Sequence, residues 1–408
     1  MSRTLPLTGT VELLDLLADS PPDDFINELL PRRATGGRRH ALLASQLWRV
    51  HLLVLLTSCR SLNLLVAQLP EQPAWRRFAR LGRTLPTVRM LSDFRQQIGV
   101  GSLRRINRYL LQRLLRREGV QPHSLALIDA TDLPAACDGH KRDHGAFSAH
   151  RATRGGRTIK TGQMPWYVGY KKHSFRLWLP RPHAPALLLP LVSWITPANV
   201  HESRLLLPSL RWLRNHLGWW PGIVVGDMGY LSTEIKRAAR LGWQTAVVTP
   251  LRANIALQPP YVNPRRVECP QGQRLEWLEY DPEESLQWFR AVPEAELCHR
   301  CWEASTCPRL FAYPSETHES FFGSIPLASR LAQRLLQRIR PCIEPTQSFE
   351  KNQLGLGKLF LNSLRFTWQM SLWIDAAILL RTMAQLDLPN EPDPLATPQP
   401  KQLQLLLD

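Results

Sequence analysis

Three carboxylates occupy places from which they could act together. Asp129 follows the apolar run Leu125 to Ile128, Asp227 follows Gly222-Ile-Val-Val-Gly226, and Glu344 sits between Arg340 and Lys351. A short apolar run bounded by turn residues reads as a buried strand. An acid at its carboxyl end has its backbone held by the sheet and its side chain in the crevice that open α/β sheets leave there. Thr131 and Asp132 are expected to start the turn after the first strand. An acid in such a place also serves as a turn or helix cap, so it is the repetition that carries the reading. Carboxylates are hard oxygen ligands suited to Mg2+ or Mn2+. Two such ions about 3.5 to 4 Å apart serve the attacking and leaving oxygens of an in-line displacement at a phosphodiester.

A second set of residues suits a different metal. Cys269, Cys298, Cys301 and Cys307 fall within one Pro-rich stretch, two of them as Cys-x-x-Cys. Four thiolates form a tetrahedral Zn2+ site that holds a small segment lacking a core of its own; four reduced thiols need no metal. Cys59, Cys137 and Cys342 read as packing residues. The total of seven cysteines in 408 residues fits a reducing compartment rather than a disulfide framework.

Composition narrows the partner. The chain carries 51 Lys and Arg against 34 Asp and Glu, a formal charge of +17, which points to a polyanion, nucleic acid first. No apolar run approaches the ~18 residues of a membrane span. Asp15, Asp19, Asp23 and Asp24 interrupt the region where a signal peptide would have its apolar core. The expected location is the cytoplasm.

The elements that must position these residues follow from periodicity. Residues 32–117 hold eighteen Arg against Glu71 and Asp93, with helical spacing in Leu42 to Leu56, Leu62 to Leu69 and Leu103 to Leu115. Residues 1–120 therefore read as an all-helical basic domain with a face for DNA phosphates. Strands are expected at Leu125 to Ile128, Met164 to His173, Ser174 to Leu179 and Leu187 to Ile195, the last interrupted by Pro190. A helix, the strand before Asp227, a helix capped by Ser232 and a strand over Thr245 to Val248 follow. That order predicts a mixed α/β sheet. Between Asp138 and Arg176 lie nine Lys or Arg and four His (His140, His144, His150, His173), which reads as a loop on a phosphate backbone with solvated imidazoles. The expected divisions are residues 121–251 for the first part of the sheet, 252–325 for a Cys-containing insertion, 326–388 for a helical C-terminal part and 389–408 for a Pro-rich tail. Trp277, Trp288 and Trp302 in the insertion are candidates for stacking on a base, with burial in its core as the alternative.

Arg340-Pro-Cys-Ile-Glu344 followed by Pro-Thr-Gln-Ser-Phe-Glu-Lys351 resembles the Tyr-Arg-Glu-Lys signature of the DDE transposases of bacterial insertion sequences. Gln337 stands where the signature has its Tyr, a DNA-backbone contact rather than the catalyst. Asp129 with Thr131, Gly169-Tyr170-Lys171, Thr196-Pro-Ala-Asn-Val-His201 and Val225-Gly-Asp227-Met-Gly-Tyr230 are similar to that family's landmarks, in the same order. The resemblance implies a ribonuclease H-like mixed sheet, an insertion domain before the third acid and a helical DNA-binding domain in front. Glu344 lies 117 positions after Asp227, which leaves room for that insertion. It further implies metal-dependent cleavage and strand transfer at the ends of an insertion sequence. Asp129, Asp227 and Glu344 would hold Mg2+ or Mn2+, and Arg340, Lys351 and Lys171 would contact DNA. Glu350 competes with Glu344 for the third place but lacks an Arg four positions before it. The partners implied are double-stranded DNA, terminal inverted repeats and target DNA. A homodimer on DNA and a place at the bacterial nucleoid follow from the same resemblance. A ribonuclease H-like nuclease and an inactive DNA-binding descendant are the alternatives.

Overall fold

The first acid-bearing run does more than the sequence suggests. In the computed structural model it is strand β1, Leu125–Pro134, and Asp129 lies inside it rather than at its end. The turn expected at Thr131 and Asp132 is absent because the backbone finds a new partner: Ala135 N–H donates to Val168 O at 2.9 Å where β3 begins to run alongside. The structure describes residues 5–6, 8–30, 41–57, 59–118, 124–136, 148–153, 166–181, 184–252, 255–257, 259–291, 298, 300–301, 303–358 and 362–387. The tail 389–408, His140, His144, Cys137 and Trp302 fall outside them.

The described chain forms two compact units. One takes residues up to 118, then 130–200 and 344–387; the other takes 124–129 and 201–343. β1 is therefore a strand of both.

The first unit opens with helices α1 (Val11–Leu17), α2 (Asp23–Leu29), α3 (Ala44–Leu56), α4 (Leu62–Gln68), α5 (Pro73–Phe78) and α6 (Val88–Glu118), the last broken at Gly99. Its sheet holds β2 (His150–Thr153), β3 (Trp166–Arg181) and β4 (Ala184–Pro197), all antiparallel. The two strands expected on either side of Ser174 are one, because β4 pairs along the whole length of β3. Pro190, which cannot donate to a ladder, sits where the register shifts between Phe175 and Arg176. The stretch between Asp138 and Arg176 is thus partly strand, and its basic residues Lys172 and Arg176 are buried. Helix α10 (Ile343–Asn352), which enters from the second unit at its first residue, and helix α11 (Leu364–Asp387) complete the unit. α11 is buried nearly all round, as a core helix must be. No helix among the described residues is long and apolar enough to cross a membrane.

In the second unit, β1 pairs in parallel with β5 (Ile223–Gly226), and β5 pairs in parallel with β6 (Ala246–Val248). Helices α7 (Leu206–Leu217) and α8 (Thr233–Trp243) carry the connections, and Ser232 Oγ caps α8 by accepting from Ile235 N–H, as expected. The insertion follows as β7 (Tyr261–Asn263) with β8 (Arg266–Val267), then β9 (Leu275–Asp281), β10 (Leu286–Ala291) and β11 (Leu310–Pro314). Expected to lack a core of its own, it has one, because β7 to β11 and the segment after them bury Tyr261, Val267, Phe289, Phe321 and Phe322 together. Helix α9 (Arg330–Arg334) leads into a π-helical turn over Leu335–Ile339 and a 3-10 turn over Arg340–Cys342. Arg340 and Lys351 were expected along one helix. Pro341, which has no N–H to donate, lies at this break.

Candidate active site

Strand register builds the centre. Ile128 pairs with Gly226 as the last rung of the parallel β1–β5 ladder, so Asp129 and Asp227 occupy the next positions on neighbouring strands, which run about 4.8 Å apart. Asp129 is buried and Asp227 half-buried. Asp227 also caps the turn Met228–Tyr230, its Oδ1 accepting from Gly229 N–H at 2.9 Å.

A third acid joins them that the sequence reading missed. Glu202 stands in the short turn Glu202–Leu205 before α7, a turn capped by His201. A Cβ at Gly229 would overlap the Glu202 carboxylate and approach Asp227 Oδ1 to 3.0 Å. Only glycine lets that carboxylate lie over the backbone of the Asp227 turn. The signal was present: Glu202 follows directly on Thr196-Pro-Ala-Asn-Val-His201, already singled out as the loop leading to the second acid.

Neighbouring carboxylates shape the electrostatics of this centre. Burial pushes the Asp227 carboxyl above its ordinary value and Glu202 pushes it further, while the Gly229 hydrogen bond and Arg340 pull it back. Tyr230 is fully buried, and its hydroxyl is held well above the ordinary range by burial and by Glu202, Asp129 and Asp227. One phenol thus reports all three carboxylates, and the Arg340 guanidinium acts on Asp227. Carboxylate oxygens are the donors that a hard divalent cation takes. Among the described residues no three His, Cys, Asp or Glu groups stand at metal-holding distances.

The other predicted residues fall on the following elements. Glu344 is exposed in the first turn of α10 and is the first residue of the other unit, with Lys351 half-buried in the last turn of that helix. Lys171 is half-buried on β3. Glu350, the rival of Glu344, is buried and ion-paired. Lys172 Nζ donates to its Oε1 at 2.9 Å, Arg176 donates to the same oxygen, and Lys172 also reaches Asp375 Oδ1 at 2.8 Å. His173, expected to be solvated, is buried on β3 with Nε2 2.9 Å from Thr196 Oγ1. Burial and Lys171 push its pKa down to about 3.

The basic helices also divide. Arg49 is buried and bidentate to Asp23, and the Arg104 guanidinium lies 4.5 Å from the rings of both Trp194 and Trp368. Arg83, Arg105 and Arg116 remain exposed. In the insertion, Trp277 is half-buried and donates to Gln287 Oε1 at 2.8 Å, and Trp288 is half-buried in β10.

A mixed α/β sheet with acids at the end of a parallel strand pair, a helical region before it and an insertion after it defines a ribonuclease H-like enzyme. A family model described as "Transposase DDE domain" matches residues 121–380, and one described as "Transposase domain (DUF772)" matches residues 6–97. The chain belongs to the DDE transposases of insertion elements. No curated protein matches it.

Proposed function

We propose that the chain cuts DNA at the ends of its insertion element and transfers the freed 3′-hydroxyl to target DNA, using Asp129, Asp227 and Glu344. The observation that carries this is the β1–β5 register, which sets Asp129 beside Asp227 under the added negative charge of Glu202. When bound, Mg2+ or Mn2+ offsets phosphate charge and lowers the proton affinity of the attacking oxygen. The chain's own residues hold and orient. Asp129 and Asp227 offer carboxylate oxygens from a sheet-braced backbone, and Glu344 brings the third from the start of α10. Glu202 adds negative charge beside Asp227. Arg340 takes a non-bridging phosphate oxygen, with Lys351 and Lys171 along the same strand of DNA. Arg83, Arg105 and Arg116 contact phosphates on the flanking terminal inverted repeat. Pairing of two ends calls for two chains on DNA, at the nucleoid.

The test uses Asp227→Ala on the full chain with a labelled terminal inverted repeat. Loss of several kcal/mol of charge stabilisation is expected to reduce cleavage by on the order of 10³-fold or more, with DNA affinity within about twofold. Joining of pre-cut ends should fall in parallel. Cleavage that survives the substitution overturns the assignment, and cleavage without joining in the wild type makes the enzyme a nuclease.

A further inference from the structure

The second unit contains a cavity that the carboxylate centre does not use. It encloses about 460 Å³ and is lined by Cys269, Cys298, Cys301 and Cys307 together with Arg300 and Arg309. Three local structures bring the thiols there. Cys269 opens a tight turn in which Gly272 N–H donates to Cys269 O at 2.9 Å and Cys269 N–H donates to Gln273 O at 2.8 Å, with Gly272 at φ +82°. That turn aims the Gln273 N–H at the Cys269 sulfur, 3.3 Å away. Cys301 and Cys307 bracket a compact loop closed by Ala304 N–H to Cys301 O at 3.1 Å and Cys307 N–H to Glu303 O at 2.9 Å. Cys298 precedes Cys301 by three positions and lies within electrostatic reach of the other three cysteines. All four are half-buried, and no described cysteine forms a disulfide.

We propose that these four cysteines bind one Zn2+ as a structural site that fastens the insertion. Thiolates are soft ligands that select zinc and leave magnesium to the carboxylates. Four sulfurs fill a tetrahedral shell and leave no position for substrate, so the site is not catalytic. Two of the thiols, Cys269 and Cys298, touch the insertion core, and all four line the open cavity beside two guanidiniums. The insertion has reason to need a clamp. Its core is a handful of side chains around Phe289 and Phe322, and Cys269 and Cys298 pack against that core from the cavity side. Among the described residues the thiols do not stand at ligating distance of one point, so binding zinc requires the four sulfurs to draw closer across the cavity they line. Each thiol that binds gives its proton to solvent. The backbone N–H already directed at Cys269 Sγ is the kind of outer contact that steadies a bound thiolate.

The experiment uses the full chain, purified without added metal. The expected result is about one zinc per chain by elemental analysis, lost to a chelator and regained on adding Zn2+ alone. Replacement by Co2+ should give sulfur-to-cobalt charge-transfer bands and the visible bands of a tetrahedral ion. Four thiols should be slowed toward a thiol reagent only when zinc is present. Cys301→Ser should weaken zinc retention by more than the roughly 10–100-fold that an outer-shell change costs, while Asp227→Ala keeps its zinc. If Cys301→Ser fails to fold, the cobalt spectrum and thiol protection of the wild-type chain still decide. A chain that takes up no zinc, whose thiols react equally with and without it, or that retains zinc in Cys301→Ser overturns the proposal.

Discussion

Glu350 and Asp227 are carboxylates withdrawn from water in different units, and their surroundings push them in opposite directions. Burial alone would raise Glu350, but Lys172 and Arg176 outweigh it and hold its carboxyl below the ordinary range. Burial raises Asp227 as well, and there the neighbouring Glu202 adds to the shift. In the first unit Lys172 and Arg176 meet Glu350 and Asp375, so the charges are matched within the chain. In the second, Glu202, Asp129 and Asp227 surround Tyr230 with Arg340 as the cation that reaches Asp227. A charge matched internally is part of the fold. A surplus of like charge acting on one carboxyl at a strand end suits a site that binds cations.

Breaking the matched side should have the largest effect on stability. Glu350→Ala leaves Lys172 and Arg176 buried without their main partner, and removing one member of a buried pair costs about 3–5 kcal/mol. A urea midpoint lowered to match is the expected outcome, with α10 released from β3. Asp227→Asn, on the surplus side, removes repulsion and should leave the midpoint unchanged or higher. Equal midpoints for Glu350→Ala and wild type would remove the distinction between the two regions.

Acid should also separate them. His51 is buried in the first unit, stacked on Trp373 with ring centroids 4.7 Å apart, and burial lowers its pKa to about 4. The unfolded chain binds a proton near the ordinary value of 6.5 and the folded chain does not. Stability conferred by the neutral ring is therefore intact above about pH 6.5 and falls as pH drops toward 4, by roughly 3 kcal/mol at about 1.4 kcal/mol per unit. Asp227 has the opposite sign, because a raised carboxyl is protonated first in the folded state and acid relieves it. Urea midpoints between pH 7 and pH 4 should fall, and His51→Phe should flatten that fall. A slope unchanged by His51→Phe would assign the acid sensitivity to other groups.

Much of this was legible in the sequence where one period or one pattern decided the outcome. The apolar runs before Asp129 and Asp227 could hardly be anything but buried strands, and Ser232 announced its helix. What stayed hidden depended on partners distant in the chain. Asp129 reads as a strand terminus because nothing local says that β1 exchanges β5 for β3 as its neighbour. Lys172 and Arg176 looked like phosphate contacts because their count is basic. Their spacing of four on a strand puts both on one face, and that face is the core, which only Glu350 and Asp375 reveal. Glu202 was hidden in plain view, since its role depends on a glycine twenty-seven positions away, Gly229.

The smallest expected effect tests the surplus side most directly. Glu202→Gln keeps the shape that lies over Gly229 and removes one negative charge. If Glu202 acts through its charge on Asp227, Mn2+ affinity measured by electron paramagnetic resonance should fall about 10–100-fold, the usual cost of disturbing an outer partner of a metal ligand. Stability should rise slightly at neutral pH, because the repulsion that raised Asp227 is gone. Both changes must appear together, since both come from the same charge. Weaker Mn2+ binding with lower stability would mean that Glu202 is chiefly a packing residue of the turn before α7. Unchanged binding would leave Asp129, Asp227 and Glu344 to account for the metal alone, and the surplus of charge would then be incidental to catalysis.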